Sequence, residues 1–218
     1  PMSIATSTRV PGNVVYSQWG KYGYFEVYAA RMAQVQLIGF YNDVSMWIAV
    51  PQQAPNALLA EFFLEPGARV AVIGSGGGRE VRAAYDAGIR DIVAIEIEPG
   101  VVQAIRGPLR DLFRRVYDLP GVQVHVAEAR SWMEQTDQKF DLIQMISVGG
   151  YPQLMLEPGN MISTADSYKL FTSRLTNDGM LAIAYDRFLD PLGDLTSQYF
   201  QTFTSLGYPC RAYYSPRP

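Results

Sequence analysis

Apolar runs of strand length alternate with stretches of helical period through most of this chain. The runs Arg69–Ile73, Asp91–Ile97, Val122–Ala127, Phe140–Ile146 and Met180–Tyr185 read as strands. Between them the spacing predicts helices over Arg79–Ala87 (capped by Gly88), Pro99–Tyr117, Ser131–Gln135 and Thr164–Leu175. A further helix follows around Leu192–Leu206, and a last strand starts at Cys210–Tyr214. Strands alternating with helices predict a doubly wound α/β domain with a mostly parallel sheet and right-handed crossovers. Tyr16–Val50 has a different character, rich in aromatic and β-branched residues and broken at Asn42-Asp43, which predicts two or three antiparallel strands. So small a β unit cannot bury itself and must pack on the main domain or on a second copy, so a homodimer is one expectation. Residues 1–13 read as a polar lead, and NALLAEFFL, ended by Pro66-Gly67, as a short amphipathic helix. The expected division is 1–50 for the arm and β unit and 51–218 for the α/β domain.

Composition narrows the classes of function. A hydrophobic content of 48% with 18% charged residues is that of an ordinary globular protein with material for a core. The net charge of −3, without charge runs, argues against a nucleic-acid binder. Cys210 and His125 are the only residues of their types, so a disulfide, a multi-cysteine metal site or a histidine-based triad has almost nothing to build on. His125, within the alternating VQVHV, reads as a strand residue. No apolar run approaches bilayer length and no secretory signal is evident, which leads to a cytoplasmic expectation. Pro1 ahead of Met2 reads as a tag remnant. The end at Ser215-Pro216-Arg217-Pro218 looks cut short of a full sheet, as in a domain of a longer parent that could carry a membrane segment.

The chemistry is concentrated at RVAVIGSGGGREV and IVAIEIEPG. Strand, glycine turn, helix, strand and acidic tip open a fold that binds adenosine-containing cofactors. Glycine admits close backbone approach, and a carboxylate can accept from ribose hydroxyls. A dinucleotide fingerprint requires a glycine at its sixth position, where this chain has Arg79; what fits is G-x-G-x-G on Gly74, Gly76 and Gly78. That is the glycine pattern of S-adenosylmethionine-type transferases, whose ligand has no pyrophosphate. Gly74, Ser75, Gly76 and Gly78 are therefore candidates to cradle the amino-acid side of the cofactor, and Glu96 with Ile97 to meet the ribose. Glu128-Ala129 would receive the adenine amino group, with Ile146 and Ser147 at the strand-four tip. Glu98 reads as a solvated strand-end charge. The loop Ser147–Ser163 is long for an α/β connection and suits a lid or substrate contact. Tyr151, Glu157 and Asn160 are its polar candidates for the acceptor, and Tyr151 and Asp186 are the candidates for catalysis.

In order and motif the chain resembles the spermidine/spermine synthase family of aminopropyltransferases, relatives of class I methyltransferases. YGYFEV and LIGFYND look like that family's β-hairpin unit, followed in the family's order by VAVIGSGGGREV, AIEIEP, VHVAEARSW, FDLIQMIS and SRLTNDGMLAIAYDR. The likeness is nearest to a divergent bacterial branch often fused to membrane segments. It implies a class I methyltransferase-like Rossmann sheet and S-adenosylmethionine, decarboxylated S-adenosylmethionine or 5'-methylthioadenosine as ligand. A small-molecule acceptor would be contacted by Tyr22 of the hairpin unit and by the strand-four loop. The chain departs from the family at that end. Ile146 and Gly149 stand where spermidine synthases carry acids, Tyr22-Gly23 lacks the family's glutamine, and the Tyr-His-Glu stretch falls near Pro55-Asn56. A polyamine needs carboxylates to hold it and a base to free its nitrogen, so ordinary spermidine synthesis is not expected. Two rivals stay open: a silent sensor or scaffold that keeps only the nucleoside pocket, and a nicotinamide oxidoreductase.

Overall fold

The computed structural model describes residues 12–31, 35–41, 45–49, 61, 63–146, 148, 162–184 and 194–212. Strands β1 (Gly12–Trp19), β2 (Tyr24–Arg31), β3 (Val35–Tyr41) and β4 (Ser45–Ala49) form an antiparallel meander in that order. The sheet thus has more strands than the two or three expected, and it starts within the stretch read as a lead. Gly12 and Asn13 enter through backbone pairing with Ala30 and Ala29, which needs no apolar side chain and so leaves no trace in the hydrophobic pattern. Phe25 and Val27 of β2 are fully buried and join the core of the second sheet. This is how so small a sheet covers its apolar face.

The second sheet contains β5 (Arg69–Ile73), β6 (Asp91–Glu96), β7 (Val122–Val126), β8 (Phe140–Ile146) and β9 (Leu175–Ala184). They lie in the order β7-β6-β5-β8-β9 and every described pairing is parallel. Helices α1 (Arg79–Asp86), α2 (Pro99–Arg106), α3 (Ala129–Gln135), α4 (Ala165–Ser173) and α5 (Asp194–Ser205) accompany it. The central strands are buried on both faces, as parallel sheets must be. Val70 and Val72 face the cluster of α1 and α2, and Ala71 and Ile73 face that of α3, α4 and α5. The chain winds outward from β5 to β7, then returns to β8, so the order reverses between β5 and β8. Ligands of such sheets bind beyond the strand ends at that reversal.

Most boundaries shift by a residue or two from the sequence reading, the helix expected to reach Leu175 ending at Ser173, and four differences have a structural consequence. The second helix stops at Arg106 rather than Tyr117, because Pro108 has no N–H to give and drives Gly107 out of helical geometry. The chain then turns through left-handed Arg114 and Arg115 into a 3-10 turn, Val116–Asp118. Helix α3 starts at Ala129, two residues before the expected Ser131, because the Glu128 side chain caps it. Strand β9 starts at Leu175, and the Asn177-Asp178-Gly179 turn becomes an irregularity in its pairing with β8. Residues 210–212 are not in a strand, and the remainder of the expected sixth strand lies outside the described residues, as does most of NALLAEFFL.

Candidate cofactor site

The glycine turn leaves β5 with Gly74, Gly76 and Gly78 at φ values of 68°, 44° and 78°. A Cβ on Gly74 would lie 2.6 Å from the Val148 Cγ2 atom, and one on Gly78 would lie 2.6 Å from Cγ1 of Val116. Both positions therefore require glycine for conformation and for space. The turn is tied down along its length. The N–H groups of Gly74 and Ser75 donate to the Ile95 carbonyl at 2.9 and 3.1 Å, and that of Gly78 to the Ser75 carbonyl at 2.7 Å. The Gly76 peptide is held at both ends: its N–H donates to Glu96 Oε2 at 2.7 Å, and the Tyr117 hydroxyl donates to its carbonyl at 2.6 Å. The Ser75 and Tyr117 hydroxyl oxygens are 2.8 Å apart.

Glu96 ends β6 and is 7% exposed as a residue. Besides Gly76, it accepts the N–H of Glu98 at 3.0 Å through Oε1. Burial pushes its pKa above the ordinary carboxylate range; the N–H groups of Glu98, Gly76 and Ile97 pull it back, and the neighbouring Glu98 charge adds to the rise. Tyr117 is pushed up as well, first by burial and then by the Glu96 charge.

Between the tips of β5, β6 and β7 lies a cleft of about 310 Å³, open mouth included. Gly74, Ile97 and the Glu128-Ala129 pair border it, with Val148 and Ile162 across from them. This brings together one part of the predicted set: glycine turn, second-strand tip and third-strand tip. Its largely apolar walls with a few polar groups suit a nucleoside. Of the two strand-tip carboxylates, Glu128 borders the cleft, whereas Glu96 lies behind Ile97 with its oxygens turned to the N–H groups of Gly76 and Glu98.

Other predicted residues take different roles. Ser75 is 1% exposed and its hydroxyl is turned to Tyr117, so only its backbone can serve the cleft. Glu98, read as a solvated charge, is 2% exposed. Its carboxylate accepts the N–H groups of Lys21, Tyr22 and Gly100, each at 2.9 Å, and these donors make burial of a charge tolerable. Glu128 borders the cleft while capping α3, accepting the N–H groups of Arg130 and Ser131 at 2.9 and 2.8 Å and the Ser131 hydroxyl at 2.8 Å. Ile146 is half-buried at the end of β8, paired with Ala184. Tyr22 sits on the β1–β2 turn, 38% exposed, with the Lys21 ammonium 5.1 Å from its ring centre. Ser147, Gly149, Tyr151, Glu157, Asn160 and Asp186 lie outside the described residues. Tyr117, Val148 and Ile162 were not singled out in the sequence. Tyr117 fell inside a stretch of helical period, and nothing in its neighbourhood points to a partner 41 residues away. Among the described residues no group of three His, Cys, Asp or Glu side chains could hold a metal ion, and no helix is long and apolar enough to cross a membrane.

No family model matches the chain. In sequence it is similar to the polyamine aminopropyltransferase of Serratia proteamaculans (strain 568), 31% identical over 117 residues, which is 53% of this chain and 39% of that protein. The polyamine aminopropyltransferase of Hamiltonella defensa subsp. Acyrthosiphon pisum (strain 5AT) is 30% identical over 117 residues, 53% of this chain and 38% of its own. The matched segment thus spans less than half the length of these relatives. In structure the chain superposes on a spermidine synthase solved with the transition-state analogue AdoDATO, with a TM-score of 0.70 and 18% identity. That match covers 88% of this chain and 64% of the other. The Thermotoga maritima spermidine synthase gives a TM-score of 0.62 at 18% identity, over 82% and 58% of the two chains. The fold is a Rossmann-like sheet of the class I methyltransferase type. Within that class it is spermidine-synthase-like.

Proposed function

We propose that this chain binds a sulfonium cofactor of the S-adenosylmethionine type and serves transfer of an alkyl group to a small acceptor. The cofactor is S-adenosylmethionine or its decarboxylated form; loss of the aminopropyl arm from the decarboxylated form leaves 5'-methylthioadenosine, and loss of the methyl group from S-adenosylmethionine leaves S-adenosylhomocysteine. The observation that carries the reading is the cleft itself, bordered by Gly74 of the glycine turn and Ile97 next to Glu96 on one side and by Glu128-Ala129 on the other, with apolar walls between. Likeness to proteins named aminopropyltransferases makes the aminopropyl group the first one to test.

The sulfonium supplies electrophilic carbons, so the protein's task is chiefly to bind, orient and keep out water. Glu96 accepts the ribose hydroxyls on its remaining lone pairs. Ile97, Val148 and Ile162 pack on the purine, whose amino group meets Glu128 and the backbone at Ala129. The glycine turn weighs against a nicotinamide dinucleotide. A pyrophosphate needs free backbone donors, and those of Gly74, Ser75, Gly76 and Gly78 are already engaged within the fold. The turn's carbonyls are also hydrogen-bonded at Ser75, Gly76 and Gly78, but a carbonyl oxygen has a second lone pair and can still accept from the ammonium of a sulfonium ligand. Tyr22, Tyr151, Glu157 and Asn160 remain the acceptor candidates, with Tyr151 and Asp186 for proton handling.

Calorimetric titration with S-adenosylmethionine, 5'-methylthioadenosine and NADH tests the reading. Binding of either sulfur ligand and not of NADH is expected; NADH alone would overturn it. A second reading, a sensor that binds the nucleoside without turnover, draws on Ile146 and Gly149 standing where the resemblance to spermidine synthases implies acids. Consumption of the sulfonium ligand with any acceptor would exclude it.

A further inference from the structure

We propose that Glu98 is a positioning residue that couples the cofactor cleft to the turn of the N-terminal sheet carrying Tyr22. The inference rests on the nucleoside reading of the cleft and goes beyond it. Glu98 belongs to two hydrogen-bonded systems at once. Its backbone N–H donates to Glu96 Oε1 at 3.0 Å, the carboxylate proposed to hold the ribose. Its side chain accepts from Lys21 and Tyr22 through separate oxygens, each at 2.9 Å, from chain 76 and 77 residues away. The same carboxylate caps α2 through Gly100.

The fit around this carboxylate is tight. A Cβ on Gly20 would lie 2.4 Å from Glu98 Cδ, and Gly100 has the Phe25 ring and Gly20 Cα as near neighbours. The turn itself is closed by the Gly20 N–H donating to the Gly23 carbonyl at 2.7 Å. A rigid turn is thus seated on a buried charge one residue removed from Ile97, which borders the cleft. Ribose hydroxyls donating to Glu96 draw its carboxylate into a fixed position, which fixes the Glu98 peptide that donates to it. The Glu98 side chain then holds the Lys21 and Tyr22 amides in one geometry. Cofactor binding in this way sets the part of the acceptor side that Tyr22 presents.

Linkage makes the coupling testable from both ends, because each site must affect the other by the same factor. The first measurement is backbone amide exchange of the intact chain with and without saturating 5'-methylthioadenosine, saturation being verified by calorimetry. Exchange at Lys21 and Tyr22 is expected to slow at least about fivefold, the lower end of typical couplings, while Val27 and Tyr28 in the same sheet stay unchanged. A merely structural clasp gives exchange that the ligand does not alter. The second is Gly20→Ala, which forces the Glu98 carboxylate to shift without touching the cleft. Its affinity for 5'-methylthioadenosine is expected to fall at least about fivefold. Unchanged exchange in the saturated protein, or wild-type affinity in a folded Gly20→Ala variant, would overturn the coupling while leaving the cofactor reading intact. Absence of nucleoside binding in the wild type would overturn both.

Discussion

Glu96→Ala separates a ribose-binding carboxylate from a structural one, and the structure sets the size of each effect. In the free protein this carboxylate accepts two buried N–H donors, from Gly76 at 2.7 Å and Glu98 at 3.0 Å. Removing it strands both, at about 1–3 kcal/mol each. Part of that returns because water can enter the vacated space and a buried acid no longer has to be kept out of solvent. A net destabilisation of roughly 2–4 kcal/mol follows, readable by urea unfolding. Binding suffers a separate loss. Hydrogen bonds from ribose hydroxyls to a charged acceptor are worth about 1.5–3 kcal/mol, so the Kd for 5'-methylthioadenosine should rise roughly 10- to 150-fold. Calorimetry below the unfolding transition reads this without contamination from the stability change. Glu96→Gln keeps the volume and one acceptor oxygen but sets an NH2 against one of the two N–H donors, so it should fall between wild type and alanine. A folded Glu96→Ala variant that binds 5'-methylthioadenosine with wild-type affinity would refute the ribose assignment, whatever its stability.

Three more outcomes follow from the same geometry. Because the pKa of Glu96 is raised and only its ionised form accepts strongly from ribose hydroxyls, affinity for 5'-methylthioadenosine should increase as pH rises through that raised value, with protons released on binding; the same group's contribution to stability is largest at low pH and is lost over that rise. Titrations in buffers of different ionisation enthalpy read the proton release, and uptake instead would show that the neutral acid binds. Tyr117→Phe removes one hydroxyl from the Gly76 carbonyl and Ser75, and should cost about 1–2 kcal/mol in urea unfolding, with weaker nucleoside binding; unchanged unfolding and binding would show the turn holds itself. Incubation with decarboxylated S-adenosylmethionine and putrescine should yield little spermidine by mass spectrometry, because Ile146 cannot deprotonate an amine and general-base help is worth about 10²–10⁴-fold; turnover near that of an ordinary enzyme would show that an acid from elsewhere fills the place.

The parts of this site that could be read in the sequence are those whose partners are near in sequence. Strand β5, the glycine turn and Glu96 lie within one β-α-β unit, and their spacing is dictated by backbone geometry that any such unit must satisfy. Glu128 was legible for the same reason, though its second duty as a helix cap shows only in the hydrogen bonds to Arg130 and Ser131. Glu98 was misread because a charge at a strand end is ordinarily solvated. What makes its burial tolerable is a pair of N–H groups from a separate sheet, and no local pattern records where that sheet docks. Tyr117 is the opposite case: its surroundings keep a helical period, although the helix itself ends at Arg106, ahead of Pro108.

This division between near and distant partners also bears on function. The proposed adenosine site uses strand tips that adjoin in the sheet, so its pattern is recognisable in a chain about 30% identical to the relatives it matches. The proposed acceptor candidates, Tyr22 of the N-terminal sheet and the residues after β8, are far apart in sequence, so no local pattern ties them together. On the proposed reading, Ile146 in place of an acid redirects transfer rather than abolishing it: the acceptor must arrive unprotonated and need no base, and the turn bearing Tyr22 must remain seated on Glu98.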